Sequence, residues 1–297
     1  MEALDIIKQG DVFRKLGEYA KARQCYGEAL KQVPRSARAL RGMADACRGA
    51  KDHAAALSHW ELAMDVEPQN TYVMVRAGDA CRKLGRLPSA QSFYERALAL
   101  EPENRFALMG LGDLFHKAHR EEEALVYYTR LLSLNPKPLN ILTMVGNLHR
   151  QRKEWAEAVA RFQEVLAVEP DNRFALFGMA DALQGQGMHL EALPYWEAIL
   201  KLDASNPEVL TRAGDTFLHL GELDRAESLF RSAQAKSYNR YAQFGLVMVE
   251  LRRGHFDAAQ KLCDVPLQRN PSDARAQKLM ESIQAVENRK SDTGKVR

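Results

Sequence analysis

The sequence lacks the long apolar segments and the paired cysteines that mark membrane proteins and disulfide-stabilised domains. No apolar run approaches the roughly 18 residues that a membrane-spanning helix requires. The N-terminus, MEALDIIKQGD, has no basic region followed by an apolar one, so no secretory signal is expected. The four cysteines form no C-x-x-C pair, and we expect them to be small core residues in a reducing, cytoplasmic compartment: Cys25, Cys47, Cys81 and Cys263.

An excess of charge of one sign is also missing. The chain has 42 basic and 39 acidic residues, which gives a net charge of +3. Proteins that bind nucleic acid usually carry a clustered basic excess, so near balance argues against phosphate neutralisation as the main activity. With 46% apolar and 27% charged residues, the composition is that of a folded protein without a membrane partner.

Catalytic and metal-binding motifs are absent as well. The sequence contains no G-x-S-x-G, no phosphate-binding glycine loop and no H-E-x-x-H. His116 and His119 lie close to three glutamates at 121–123, but they straddle a predicted turn, so we do not expect a metal site there. The sequence therefore predicts a protein that is not an enzyme and has no cofactor.

An internal repeat organises the chain. The stretch Arg105–Asp113, RFALMGLGD, returns 68 residues later as RFALFGMAD at Arg173–Asp181, with six of nine positions identical. Prolines recur every 34 residues, at 34, 68, 102, 136 and 170. Between them, apolar residues fall at i, i+3, i+4 and i+7 in two bursts separated by a break, so each unit is predicted to be a helix–turn–helix.

Three positions recur within each unit. A small residue stands in the first helix at Gly10, Ala44, Gly78, Gly112, Gly146, Ala180 and Gly214. An alanine stands in the second helix at Ala22, Ala56, Ala90, Ala124, Ala158, Ala192, Ala226 and Ala259. Four residues later comes an aromatic: Tyr26, Trp60, Tyr94, Tyr128, Phe162, Trp196 and Phe230. With the turn glycine and the closing proline, this pattern resembles the tetratricopeptide repeat.

The resemblance covers about nine-tenths of the chain and implies an all-α fold. We expect a right-handed superhelical α-solenoid of eight helix–turn–helix repeats, at 3–36, 37–70, 71–104, 105–138, 139–172, 173–206, 207–239 and 240–273. Residues 274–289 are predicted to form a C-terminal capping helix, because terminal repeats must cover an apolar face. Residues 1–289 would then be a single solenoid and 290–297 a polar tail. Pro194 and Pro266 are expected to kink or shorten their helices.

A second period lies over the first. In even-numbered repeats a glycine precedes the small position by two residues, at Gly42, Gly110, Gly178 and Gly245. An interior helical glycine costs up to about 1 kcal/mol relative to alanine, so four in register indicate that something must approach closely. Either a neighbouring repeat's side chain or a ligand backbone would satisfy this.

By the same resemblance, the first helices line a concave groove through their second, fifth, ninth and twelfth positions. The ninth position carries an acidic row that includes Asp45, Asp79, Asp113, Asn147, Asp181 and Asp215. The twelfth carries a basic row that includes Arg48, Arg82 and Arg150. These rows are either solvated ion pairs along each helix or contacts to a bound segment. Aromatic and methionine side chains at positions two and five are either anchors or inter-repeat packing: Phe106, Met109, Phe174 and Phe177.

The sequence thus favours a non-enzymatic scaffold that binds a peptide or partner protein in the groove. Arginines of repeats two and three, including Arg41, Arg76 and Arg82, would face an acidic stretch of that partner. A second hypothesis is self-assembly into a homo-oligomer through the terminal repeats. RNA binding is a third, and near-neutral charge disfavours it.

Overall fold

The structure, a computed structural model, describes residues 2–135, 137–235 and 237–294, and side chains as far as residue 285. The chain divides into two compact units, Met1–Ile141 and Leu142–Arg297. Pro136 of the proline series and residues 295–297 of the expected tail lie outside the described residues. The part of the chain that the structure describes contains helices and no strand.

Eight helices form unit 1, two for each repeat. Their bounds are α1 Ala3–Lys15, α2 Tyr19–Gln32, α3 Ala37–Gly49, α4 His53–Val66, α5 Thr71–Lys83, α6 Leu87–Leu100, α7 Arg105–Lys117 and α8 Glu121–Leu132. Each helix packs on the next one along the chain, and the first helices also meet in pairs, α1 with α3 and α5 with α7.

Unit 2 continues the same alternation from a helix that begins at the unit boundary. Its helices are α9 Leu139–Gln151, α10 Trp155–Val168, α11 Arg173–Gly185, α12 His189–Leu202, α13 Pro207–Leu220, α14 Leu223–Gln234, α15 Arg240–Arg253, α16 Phe256–Arg269 and α17 Ala274–Gly294. The predicted all-α chain of eight helical hairpins and a closing helix is confirmed.

Asparagine side chains fix where several first helices begin. Asn104 accepts a hydrogen bond from the backbone N–H of Ala107 at 3.1 Å and donates one to Glu101 at 2.7 Å. The same pair of bonds recurs at Asn70 and Asn172. Each asparagine satisfies one of the free N–H groups at the helix start and ties it to the preceding loop.

The interior glycines make room for an aromatic ring, which belongs to the same repeat for glycines at the small position and to the preceding repeat for the additional glycines of even repeats. Tyr94 lies between Gly78 and Gly110, where added Cβ atoms would stand only 2.7 and 2.6 Å from its ring. Phe162 lies in the same way between Gly146 and Gly178, at 2.8 and 2.2 Å. Equivalent arrangements surround Tyr26 (Gly10 and Gly42) and Phe230 (Gly214 and Gly245). The close approach that the even-repeat glycines require is therefore made by a side chain of the protein itself.

The two helix-interior prolines do not end their helices. α12 continues past Pro194 to Leu202, and α16 continues past Pro266 to Arg269. Pro266 has no N–H to donate to the carbonyl of Leu262 four residues earlier. The side-chain amide of Gln243 donates to that carbonyl instead, at 2.7 Å. This buried glutamine thus replaces the hydrogen bond that the proline removes.

The closing helix covers the last apolar face of the repeats. Ala276 and Ile283 of α17 are buried in one cluster with Phe244, Val247 and Cys263. The helix extends to Gly294, five residues past the expected end at 289, so the described part of the expected tail (290–294) is helical. Asp273 starts this helix by accepting hydrogen bonds from the backbone N–H groups of Arg275 and Ala276.

Candidate binding surface

Positions two, five, nine and twelve of each repeat lie on the first helices, and we call this the first-helix face of each unit. Position two is exposed in all eight repeats, at Leu4, Arg38, Tyr72, Phe106, Asn140, Phe174, Glu208 and Tyr241. Large apolar groups are prominent among them. Phe106 is 66% exposed and Tyr72 43% in unit 1, and Phe174 is 76% and Tyr241 65% exposed in unit 2.

Side chains at position five, in contrast, are buried or half-buried. Phe244 is buried, and Met109 and Phe177 are half-buried. Phe177 lies edge-on against Trp196 with ring centroids 5.4 Å apart, and the Arg150 guanidinium lies over its other side at 5.8 Å. The aromatic pairs that the sequence suggested therefore divide into an outward member at position two and a packing member at position five.

The acidic row at position nine is tied to the second helices by tyrosine hydroxyls in unit 1. Tyr26 donates to Asp11 at 2.7 Å, and Tyr94 donates to Asp79 at 2.8 Å. Tyr128 donates to Asp113 in the same way at 3.0 Å. Burial raises the pKa of the Tyr94 phenol, and the negative charge of Asp79 raises it further. These carboxylates hold the helices of a repeat together.

The basic row at position twelve links an odd repeat to the even repeat that follows. Arg14 lies 3.8 Å from Asp45, Arg82 lies 3.6 Å from Asp113, and Arg150 lies 2.5 Å from Asp181. Each pair spans 31 residues, so the ion pairs repeat with the two-repeat period of the glycines. The sequence anticipated pairs along one helix, and these occur too, between Arg48 and Asp45 and between Arg82 and Asp79.

The other arginines of repeats two and three also have acidic partners. Arg41 lies 3.3 Å from Glu67, and Arg76 lies 3.3 Å from Asp79 with its guanidinium 5.2 Å from the Tyr72 ring centroid. Tyr72 itself donates to Asp45 at 3.2 Å. The sequence did not single out Tyr72, although its place at position two of a first helix was a signal that could have identified it.

In unit 2 the row at position nine is less uniform. Asp181 is 8% exposed and lies between two arginines, Arg150 and Arg212, the second at 3.4 Å. Asn147 accepts a bond of 3.4 Å from Arg150. Asp215 has no hydrogen-bond or ion-pair partner for its carboxylate among the described residues, and burial raises its pKa despite the positive charges of Arg212, His219 and Arg275.

Reactive and metal-binding groups do not converge on either face. The described residues contain no cluster of three or more histidine, cysteine or acidic side chains that could hold a metal ion. His119 has a φ of 57° and forms the left-handed turn between α7 and α8. Burial raises the thiol pKa of all four free cysteines, which disfavours the nucleophilic thiolate: Cys25, Cys47, Cys81 and Cys263.

The described helices include none with both the length and the apolar character needed to cross a membrane. No curated protein matches the chain. A tetratricopeptide repeat family model matches residues 7–69, 75–137 and 177–242, and a second tetratricopeptide repeat model matches residues 141–176.

Solved structures of repeat proteins share the fold. The C-terminal part of a TPR repeat-containing protein from Cytophaga hutchinsonii is 18% identical, with a TM-score of 0.67 over 81% of this chain and 99% of that one. A tetratricopeptide repeat protein from Parabacteroides merdae is 19% identical, with a TM-score of 0.55 over 84% and 98%. YrrB, described as a TPR protein with an unusual peptide-binding site, is 17% identical, with a TM-score of 0.56 over 66% and 97%.

Proposed function

Because the chain belongs to the tetratricopeptide repeat family, we propose that it is a non-enzymatic scaffold that binds a peptide or a partner protein on its first-helix faces. The observation that carries this proposal is the set of exposed aromatic side chains at position two, with Phe106 66% and Phe174 76% exposed. A single exposed apolar residue is ordinary, but an aromatic group that recurs at one exposed position of several repeats supports an interaction surface, since extended apolar patches mark such sites.

Aromatic side chains suit this role because a rigid ring buries a large area at little cost in conformational entropy. Full burial of a phenylalanine side chain contributes about 1.5–3 kcal/mol, so two or three such anchors supply about 3–9 kcal/mol, a large part of the gross interaction energy that a micromolar complex requires. The remaining polar groups of the face would provide complementarity rather than most of the affinity. YrrB, a similar fold described as having an unusual peptide-binding site, agrees with this role.

In unit 1 the finer proposal is that the bound segment has an acidic stretch facing repeats two and three. Arg38 and Arg48 are the most exposed arginines of the first helices there, with side chains 50% and 43% exposed. Each already has an aspartate partner, so an acidic ligand would compete with Asp11 and Asp45. Exposed ion pairs contribute only about 0–1 kcal/mol, which makes such exchange inexpensive.

A comparative purification tests the scaffold proposal. Full-length tagged protein and a Phe106→Ala/Phe174→Ala variant would capture partners from the native lysate, with quantification by mass spectrometry. The matched control is Val126→Ala/Val168→Ala, which trims side chains that are 57% and 66% exposed on second helices. We expect the phenylalanine variant to lose the specific partners and the valine variant to keep them. Equal recovery with all three proteins would refute the proposal.

Self-assembly through a terminal repeat is a second candidate, supported by an apolar surface on α1. Leu4 and Val12 of α1 and Leu16 at its C-terminal end are 50%, 55% and 67% exposed, and all three belong to the first repeat. Multi-angle light scattering over a range of concentrations would detect a homo-oligomer, and Val12→Glu should dissociate it. A monomer at all concentrations removes this candidate.

A reducing compartment such as the cytoplasm belongs to the proposal as well. All four cysteines are buried free thiols, which is the state that a reducing environment maintains. Partner capture that is equally efficient with and without reductant would agree with a packing role for the cysteines. Formation of a native disulfide would contradict it.

A further inference from the structure

We propose that the first-helix face of unit 2 holds a binding site for one basic side chain, lysine or arginine, of a bound segment, in a cavity beside Asp215. The inference rests on the proposed scaffold function and names the chemistry that one part of the ligand must have. It is independent of the acidic stretch proposed for unit 1.

The cavity has a volume of about 660 Å³ and lies where three helices begin. Glu208, Thr211, Arg212 and Asp215 of α13 line it, together with Tyr241 of α15 and Arg275 of α17. This volume is in the range of small-molecule pockets and exceeds what one side chain needs. It can therefore accommodate a basic residue together with parts of its neighbours.

Asp215 lacks two donors, a tyrosine hydroxyl and an arginine three residues later, that other aspartates of its row have. Asp181 lacks both as well, but it has Arg150 and Arg212 as partners. The residue 15 positions after Asp215 is Phe230, whereas Tyr26, Tyr94 and Tyr128 supply a hydroxyl to the equivalent carboxylates. Three residues after Asp215 stands Leu218, where arginines follow Asp45 and Asp79.

The nearest positive charges do not replace these donors. Arg212 lies against Asp181 at 3.4 Å, and the Arg275 guanidinium lies over the Phe244 ring at 4.6 Å. Asp215 is half-buried, and partial withdrawal of a carboxylate from water without a hydrogen-bond partner is costly. Asp215 therefore lines the cavity as an acceptor that the protein itself leaves open.

A cation is the ligand group that fits these surroundings best. Asp215 and Glu208 offer two carboxylates, and the exposed Tyr241 ring offers a face for a cation–π contact. A guanidinium can donate two parallel hydrogen bonds to a carboxylate while it stacks on an aromatic ring, so arginine is favoured over lysine. Arg212 and Arg275 also line the cavity, and their positive charges disfavour a run of several basic residues, so the preferred segment has a single basic residue beside acidic ones.

Calorimetric titration of the full chain with a defined probe tests this site. The probe is acetyl-Glu-Arg-Glu-amide, and its control is acetyl-Glu-citrulline-Glu-amide, which keeps the shape and the acidic residues but removes the positive charge. We expect the arginine peptide to bind at least tenfold more tightly. Asp215→Asn should reduce this preference to less than twofold, and Asp65→Asn, which changes an exposed aspartate of the second helix α4, should leave it unchanged.

Equal affinity for both peptides, or an arginine preference that survives Asp215→Asn, would overturn the inference. Thermal unfolding of Asp215→Asn should occur at or above the wild-type temperature, which separates a binding defect from misfolding. Failure here is distinguishable from failure of the scaffold proposal. If partner capture still depends on Phe106 and Phe174 while the peptide preference is absent, only the basic side-chain site is wrong.

Discussion

The two units pack the same helical hairpins around different aromatic side chains. In unit 1 three of the four are tyrosines, Tyr26, Tyr94 and Tyr128, each of which donates to the aspartate of its own repeat. In unit 2 the equivalent residues are Phe162, Trp196 and Phe230, and none has a hydroxyl group. The aromatic ring fills the core in both units, but only in unit 1 does its residue also donate a hydrogen bond to the aspartate at position nine of the same repeat.

The aspartate at position nine therefore has two different roles in different repeats. An aspartate with a tyrosine or arginine partner is part of the fold. Hydrogen bonds from Tyr26 and Arg38, for example, outweigh the effect of burial and lower the pKa of Asp11. Asp215 has neither kind of partner, and burial raises its pKa. A repeated residue type therefore does not imply a repeated role.

Substitution of the interior glycines should have the largest effect, and a similar one in both units. Gly110→Val and Gly178→Val would each place a Cβ atom against a buried ring, at 2.6 and 2.2 Å. We expect each to lower the free energy of unfolding by about 3 kcal/mol, at the upper end for overpacked cores. Urea denaturation measures this loss.

Gly27→Ala is the matched control for the glycine substitutions. Its added Cβ would meet only the Met43 methyl group at 3.6 Å, an ordinary contact. The gain in helix propensity should therefore increase stability by up to about 1 kcal/mol. Stabilisation by Gly110→Val or Gly178→Val would contradict the packing that we describe.

The next largest effect on stability should distinguish the two aspartates at position nine in unit 2. Asp181→Ala would leave Arg150 and Arg212 without their shared partner and should cost about 1.5–3 kcal/mol, as for other charge-assisted hydrogen bonds. Asp215→Asn should cost nothing at pH 7. Because the folded-state pKa of Asp215 is raised, its protonated form stabilises the fold at low pH, and this contribution is lost as the pH rises through that pKa.

The pH dependence gives this prediction a control. Any gain from Asp215→Asn should be present at pH 7 and absent at pH 3, where the wild-type carboxyl is protonated as well. Thermal unfolding at the two pH values measures it. A loss of stability at pH 7 as large as that of Asp181→Ala would show that Asp215 has a structural partner.

A reciprocal exchange of one hydroxyl group should have the smallest effect. Tyr94→Phe removes the bond to Asp79 and should cost about 1 kcal/mol. Phe230→Tyr should add an equivalent bond to Asp215 and stabilise by a similar amount, because its ring lies between Gly214 and Gly245 as that of Tyr94 lies between Gly78 and Gly110. If the two substitutions changed the free energy of unfolding in the same direction, the proposed difference between the units would be wrong.

Most of the fold was predictable from the sequence because the repeat pattern is the packing pattern. The 34-residue period, the two apolar bursts and the capping segment each correspond to helices that the structure contains. The effect of Pro266 was not predictable, since it depends on Gln243, which is distant in sequence and supplies the missing donor. Propensity acts locally, whereas this compensation is a tertiary contact.

The candidate surface was predictable in part. The sequence placed positions two and five on the first helices but left open whether their aromatic side chains are exposed or packed. It could not separate Phe174 from Phe177, because burial of the second depends on where Trp196 lies. For the same reason, the sequence could not show which group contacts the interior glycines. The only sequence signal that Asp215 lacks a hydrogen-bond partner is the phenylalanine fifteen residues later. That signal can be interpreted only once the tyrosine–aspartate hydrogen bonds of unit 1 are known.

The carboxyl titration of Asp215, followed by ¹³C NMR in the wild type and in Phe230→Tyr, tests the central claim most directly. We predict that the wild-type carboxyl titrates above the ordinary value of 3.8, and that its pKa falls when the tyrosine hydroxyl becomes available. A wild-type pKa at or below 3.8 that does not respond to the substitution would show that Asp215 already has a partner, and would contradict the account.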